Sequence, residues 1–170
     1  LHRLIRRQRQ MCIRDSYLTK IRSIEDLKLA EVDDPKKGYL KVARIPTSQE
    51  YADLLFCWYV NIHVRSNGIV IGKNGATLCV GTGEQDRVGA VQKALDKFHQ
   101  KYKGSEQLEG AVIASDGFFP FRDSIDLLAQ VGITAIVQPG GSIADYEVIA
   151  ACNEHQLSMV FTGERCFSHH

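Results

Sequence analysis

Ser115-Asp116-Gly117-Phe118-Phe119-Pro120-Phe121-Arg122-Asp123 follows directly on the apolar run Ala111-Val112-Ile113-Ala114. A short unbroken apolar run bounded by turn residues reads as a buried strand. The aromatic loop that leaves it enters a helix from about Asp123 to Gln130. Downstream the alternation continues with strand Thr134 to Gln138, helix Ala144 to Glu154 and strand Ser158 to Phe161. Strands alternating with helices imply a layered α/β domain, a sheet with helices on its faces. Open α/β sheets bind ligands in the loops at strand ends, so the chemistry is sought there.

Upstream the periodicities are equally plain. Val88, Val91, Leu95 and Phe98 recur at helical spacing and predict a helix from about Asp86 to Tyr102. Ile69-Val70-Ile71-Gly72-Lys73 and Ala76-Thr77-Leu78-Cys79-Val80 flank Asn74-Gly75, a pair that tolerates the positive φ angles of a tight hairpin. Thr47-Ser48-Gln49-Glu50 is a capping box, and Leu54, Leu55, Trp58 and Ile62 mark the buried stripe of a helix from Ser48 to about Val64. Trp58 reads as core. Tyr39 to Arg44 alternates like a strand after the turn Asp33 to Gly38, and residues 17–38 read as a linker or partial element. Residues 1–16 are arginine-rich. The tract Met11-Cys12-Ile13-Arg14-Asp15-Ser16 looks like translated sequencing adapter, so the segment is set aside as a non-native or disordered tail.

A chain of 170 residues suits one domain with a sizeable core. With 24% charged and 44% apolar residues it has the composition of a soluble globular protein, and no stretch approaches membrane-spanning length. A net charge of +1 gives no field to attract nucleic acid or an acidic membrane. The five cysteines, Cys12, Cys57, Cys79, Cys152 and Cys166, form no CxxC pair and no zinc-like spacing with the histidines. Neither a disulfide framework nor a metal is indicated, and a reducing cytoplasm fits best.

Three loops and a turn carry candidate chemistry. In the first loop the phenylalanines either sandwich a flat heterocycle or plug the core, and Asp123 either holds a polar group or caps its helix. In the second, Gln138-Pro139-Gly140-Gly141-Ser142, the exposed amides of Gly140, Gly141 and Ser142 either bind an anion at a helix start or simply make a tight turn. The third, Gly81 to Arg87, lacks the third glycine and the βαβ setting of a dinucleotide loop. Thr162-Gly163-Glu164-Arg165 follows the last strand, where a guanidinium either clamps phosphate or makes a surface ion pair. His63, His99 and His155 have no acid or thiol at a telling spacing and assemble no hydrolase triad.

The aromatic loop is similar to the SDAFFPFRD signature of the transformylases that act on aminoimidazole carboxamide ribonucleotide (AICAR). The resemblance continues through Gln138 to Ser142, Val148-Ile149-Ala150-Ala151, Met159 to Gly163, and Arg165 with Phe167. Upstream it takes in Asp53-Leu54-Leu55-Phe56, Ser66-Asn67 and Gly81 to Arg87, so that it covers about Leu40 to His169. Several motifs in one order are far more specific than any single glycine pattern.

The resemblance implies a cytidine-deaminase-like α/β fold, with an N-terminal hairpin and helix region. It implies formyl transfer from 10-formyltetrahydrofolate to the exocyclic amine of AICAR, in sites built across a homodimer, with no catalytic metal. Room is left for a structural monovalent cation near Ser66 and Asp116. Carried over by position, Arg165 holds the 5′-phosphate and Asn67 orients groups at the reacting centre. Phe118, Phe119 and Asp123 line the nucleotide and folate pocket, and Arg87 belongs to the substrate-binding set. The Lys-His pair of the family lies in a stretch these residues do not include, as does the cyclohydrolase half, so ring closure is not expected of this polypeptide. His63 is not that histidine. Glu84, Asp86 and Gly117 depart from the usual pattern and suggest a divergent, standalone branch in which two added acids change anion recognition. The alternatives are a non-catalytic nucleotide-binding or dimerisation module, and a zinc deaminase relative, against which the missing HxE and PCxxC elements count.

Overall fold

The computed structural model describes residues 19–166, so the arginine-rich segment 1–16 and Phe167 lie outside the described residues. The elements are β1 (Lys28–Leu29), β2 (Glu31–Asp34), β3 (Gly38–Lys41), α1 (Ser48–Asn61), β4 (Ile69–Lys73), β5 (Ala76–Gly81), α2 (Arg87–Tyr102), β6 (Ala111–Ser115), α3 (Asp123–Gln130), β7 (Ile133–Gln138), α4 (Asp145–Glu154) and β8 (Ser158–Phe161). A single 3₁₀ turn, Ile24–Asp26, precedes β1.

Six strands form the main sheet in the order β1-β8-β7-β6-β4-β5, and β2 pairs with β3 beside it. β6, β7 and β8 run parallel, while β4 is antiparallel to both β5 and β6. All five residues of β6 are buried, as its apolar run predicts. Alternate residues of the central strands supply two separate cores. Val112, Ala114, Ala135 and Val137 face Leu54, Cys57 and Trp58 of α1. Ala111, Ile113, Ile133 and Ile136 face the other way, onto α2, α3 and α4. One helix therefore covers one face and three cover the other.

The hairpin turn behaves as its sequence requires, with Asn74 at φ 52° and Gly75 at φ 72°. The capping box of α1 is complete, since Thr47 Oγ1 accepts from Glu50 N and Glu50 accepts from Thr47 N at 2.7 Å. α1 stops at Asn61 rather than Val64, because His63 N and Val64 N bond back to Val60 and Asn61 in a turn. The strand expected over Tyr39 to Arg44 is Gly38–Lys41. Its partner Glu31–Asp34 alternates exposed with half-buried residues, too polar to announce itself in the sequence.

Candidate functional site

The ends of β6, β7 and β8, the approach to β4 and the start of α2 meet at one end of the sheet. β6 delivers Asp116, which is 0% exposed. Arg87, in the first turn of α2 and itself buried, forms an ion pair with Asp116 through Nη1. Arg87 Nη2 donates to Asn67 Oδ1 at 3.0 Å, and Asn67 Nδ2 donates to the Glu84 carbonyl at 2.9 Å, so the Asn67 amide is fixed at both ends. The Ser66–Asn67 peptide is cis. Ser66 Oγ donates to the other Asp116 oxygen at 2.5 Å. The cost of removing two charges from water is offset in part by pairing and by the hydrogen bonds to Asp116 and from Arg87 Nη2.

The Gly68 carbonyl joins these groups. It accepts from Asn61 Nδ2 at 3.3 Å, Arg87 Nη1 at 3.4 Å and Asp116 N at 3.2 Å. A Cβ on residue 68 would fall 2.6 Å from Asn61 Oδ1, so a larger residue there would displace that side chain. Asn61 Oδ1 and Arg87 Nε are buried without a partner among the described residues.

The three phenylalanines of the β6–α3 loop separate by depth. Phe118 is half-buried, and the Arg165 guanidinium lies over its ring at 4.6 Å from the centroid. Phe119, expected beside Phe118 in the pocket, is instead a core residue, 0% exposed and packed with α2 and α3. Its backbone N–H donates to Gln138 Oε1 at 2.8 Å. Phe121 is 65% exposed. Asp123 is exposed and is not a cap: Arg122 occupies the cap position, and among the described residues Asp123 Oδ1 accepts from the adjacent Ser124 N, at 2.8 Å. The Arg122 guanidinium is taken up at the surface by Asp126 at 3.0 Å and Glu154 at 2.6 Å.

The glycine-rich turn contains an anion of its own. Gly141 N and Ser142 N donate to Asp145 Oδ2 at 2.7 and 3.0 Å, and Ser142 Oγ accepts from Ala144 N. Gly140, at φ 74°, packs on the Phe161 ring. Burial pushes the Asp145 carboxyl up from the ordinary aspartate value, while the two amides pull the other way. The two acids of the third loop are also engaged locally. Glu84 pairs with Lys93 at 2.5 Å, and Asp86 caps α2 through Gly89 N at 2.6 Å, so neither carboxylate reaches toward Arg87. Between the two loops lies a groove of about 440 Å³ lined by Pro120, Phe121, Ser142 and Ile143, the last fully exposed.

The fold thus assembles Asn67, Arg87, Phe118 and Arg165 from four separate stretches, and leaves Asp123 and the Gly140–Ser142 turn with local partners. Asn61 and Gly68 were missed as site residues, and Asp116 was expected only beside a cation, not as the partner of Arg87. The signal for Asp116 is a carboxylate ending a wholly apolar strand, whereas nothing local ties Asn61 to Gly68. Among the described residues no cluster of His, Cys, Asp and Glu could hold a metal ion, and no helix is long and apolar enough to cross a membrane.

Residues 6–97 match the family model described as the AICARFT/IMPCHase bienzyme. The chain is 56% identical over 126 residues to the bifunctional purine biosynthesis protein PurH of Aquifex aeolicus, covering 74% of this chain and 24% of that protein. It is 52% identical over 126 residues to the PurH of Persephonella marina, with the same coverage, and 51% over 139 residues to that of Magnetococcus marinus, covering 78% and 26%. The chain therefore spans about a quarter of these relatives. Among solved structures, the dCMP deaminase of cyanophage S-TIM5 in complex with dCMP and dUMP matches with a TM-score of 0.41 at 19% identity, over 54% of this chain and 77% of that one. The Thermotoga maritima diaminohydroxyphosphoribosylaminopyrimidine deaminase/reductase matches at 0.42 and 17%, over 68% and 35%. Likeness at that level carries no argument about the chemistry.

Proposed function

Because the chain belongs to the AICARFT/IMPCHase bienzyme family, we propose that it serves purine biosynthesis. In this reading its residues supply part of a site where a formyl group passes from 10-formyltetrahydrofolate to the exocyclic amine of AICAR. The observation that carries the reading is the Arg165 guanidinium over Phe118, at the same end of the sheet as the Asn67–Arg87–Asp116 network.

In this reaction the amine nitrogen bonds to the formyl carbon, the carbonyl oxygen takes the negative charge of a tetrahedral intermediate, and the bond from carbon to folate N10 breaks. The amine gives up a proton and N10 gains one. Arg165 has the chemistry of a phosphate clamp: stacking on Phe118 uses the face of the guanidinium and phosphate pairing uses its N–H edge, so the two are compatible. Phe118 offers its ring to the flat base. Asn67, anchored by Arg87 and the Glu84 carbonyl, orients polar groups at the reacting centre with little reorganisation. Asp123, exposed on the aromatic loop, faces solvent where a folate could approach. Proton transfer is assigned to the family's Lys-His pair, and the intact site to a homodimer in the cytoplasm. The Ser66 hydroxyl, the Asp116 carboxylate and Asn61 Oδ1, which has no partner among the described residues, are oxygens suited to a structural monovalent cation.

For this segment taken alone, binding without catalysis is the second reading. Among the described residues, the charged group that bonds Asn67 is Arg87, and it is locked in an ion pair with Asp116. The test is an assay of the intact protein for formyl transfer to AICAR. Arg165→Ala is expected to raise KM for AICAR by about tenfold or more, the loss of one charge-assisted contact worth about 1.5 to 3 kcal/mol. An unchanged KM would refute the phosphate assignment.

A further inference from the structure

The turn that carries Arg165 is tied down on both sides. Thr162 N donates to the Gln138 carbonyl at 3.0 Å, Gly163 N to the Pro139 carbonyl at 3.1 Å, and Cys166 N to the Asp116 carbonyl at 3.3 Å. Between these anchors the Thr162 hydroxyl donates to the Glu164 carbonyl at 2.8 Å, and the Glu164 side chain ties the turn to the rest of the fold. The Glu164 carboxylate accepts from the Thr19 hydroxyl and from Lys20 N, the latter at 2.7 Å. Thr19 is buried, and its oxygen also accepts from the Trp58 indole N–H at 3.0 Å and from Ile21 N at 3.1 Å. Trp58 is fully buried in the core under α1. A contact chain therefore runs from the rigid core through Thr19 to the residue next to Arg165.

A phosphate clamp works only if its guanidinium is held within a fraction of an ångström of the productive place, so whatever fixes the turn that carries Arg165 bears on its function. A carboxylate accepting two donors makes a stronger tether than a neutral acceptor would. We propose that Thr19 and Glu164 are positioning residues that hold the Arg165 guanidinium over Phe118 for a ribonucleoside 5′-monophosphate. The inference rests on Arg165 being the phosphate ligand, and it gives the segment before β1 a part in substrate recognition.

The test compares, in the intact protein, the Kd of AICAR with that of its dephosphorylated riboside by calorimetry. Glu164→Ala and Thr19→Val should each weaken AICAR about tenfold, the loss of one charge-assisted contact, and leave the riboside within about twofold. Glu164→Gln, which keeps an acceptor oxygen for both donors, should stay within about threefold of the parent for both ligands. Equal weakening of nucleotide and riboside, or an unchanged ratio of the two in Glu164→Ala and Thr19→Val, would overturn the proposal. Arg165→Ala separates the two levels of the argument. If it fails to reduce the preference for the nucleotide, the phosphate reading falls and the tether with it. If it reduces that preference and Glu164→Ala does not, the tether alone falls.

Discussion

At Arg87 a guanidinium with a side-chain exposure of 6% meets a carboxylate, Asp116, with none. Such a pair adds little net stability as a pair, yet removing one member strands the other in a medium that cannot solvate it. Arg87→Ala should therefore lower unfolding stability by about 3 to 5 kcal/mol in denaturant titration, and a loss below about 1 kcal/mol would contradict the burial described. The thiols show the same environment from the other direction. Burial pushes Cys57, Cys79, Cys152 and Cys166 up to about 12, so their reactive thiolates are scarce at neutral pH. Peptide mapping should find all four slow to alkylate in the native protein at pH 8 and fast in denaturant. Rapid native labelling would place them at the surface. Phe118 and Phe119 show where sequence reading ran out at this scale. Two identical neighbours in one loop gave no means of telling core from surface, which depends on which side of β6 each ring leaves.

Between elements, Asp53 makes a buried polar link. Its carboxylate, buried on α1, accepts from Asn74 N at 2.9 Å and Gly75 N at 2.7 Å, and so pins the tip of the β4–β5 hairpin to the helix. Asp53→Ala should cost about 1 to 3 kcal/mol and speed amide exchange at Asn74 and Gly75. Unchanged protection at those two amides would refute the pin. The hairpin and helix were each legible, from Asn74-Gly75 and the Thr47–Glu50 box, because turns and caps are local chemistry. Their connection was not, since the accepting carboxylate and its two donors are 21 and 22 residues apart and no periodicity links them. The small strand Glu31–Asp34 escaped for a related reason: it is held by pairing with β3 rather than by a buried face.

For the molecule as a whole, stability in acid follows from which carboxylates the fold holds charged. Burial raises the Glu50 carboxyl, but hydrogen bonds from Arg44 and from Thr47 N, with the Arg44 charge, outweigh it and hold the group at about 2. A lowered folded pKa contributes stability that is complete above about 4.5, the ordinary glutamate value, and is lost as pH falls toward about 2. Asp145 has the opposite sign, since burial raises it and its ionisation weakens the fold as pH climbs through the carboxylate range. Glu50→Gln should flatten the acid limb of a circular-dichroism pH titration and Asp145→Asn should not. An unaltered acid limb in Glu50→Gln would show that the Arg44 pair does not operate. The alternation of strands and helices from Ala111 onward was readable because each element has its own period. The antiparallel insertion of β4 between β5 and β6 was not, because strand order is decided by which faces fill the two cores. That order brings Asn67 and Arg87 to the end of the sheet where Phe118 and Arg165 stand. The most direct test is a crystal structure of the intact protein with AICAR bound. It should place the phosphate within hydrogen-bonding distance of Arg165 and the base against Phe118, and a nucleotide whose phosphate lies away from Arg165 would contradict the account.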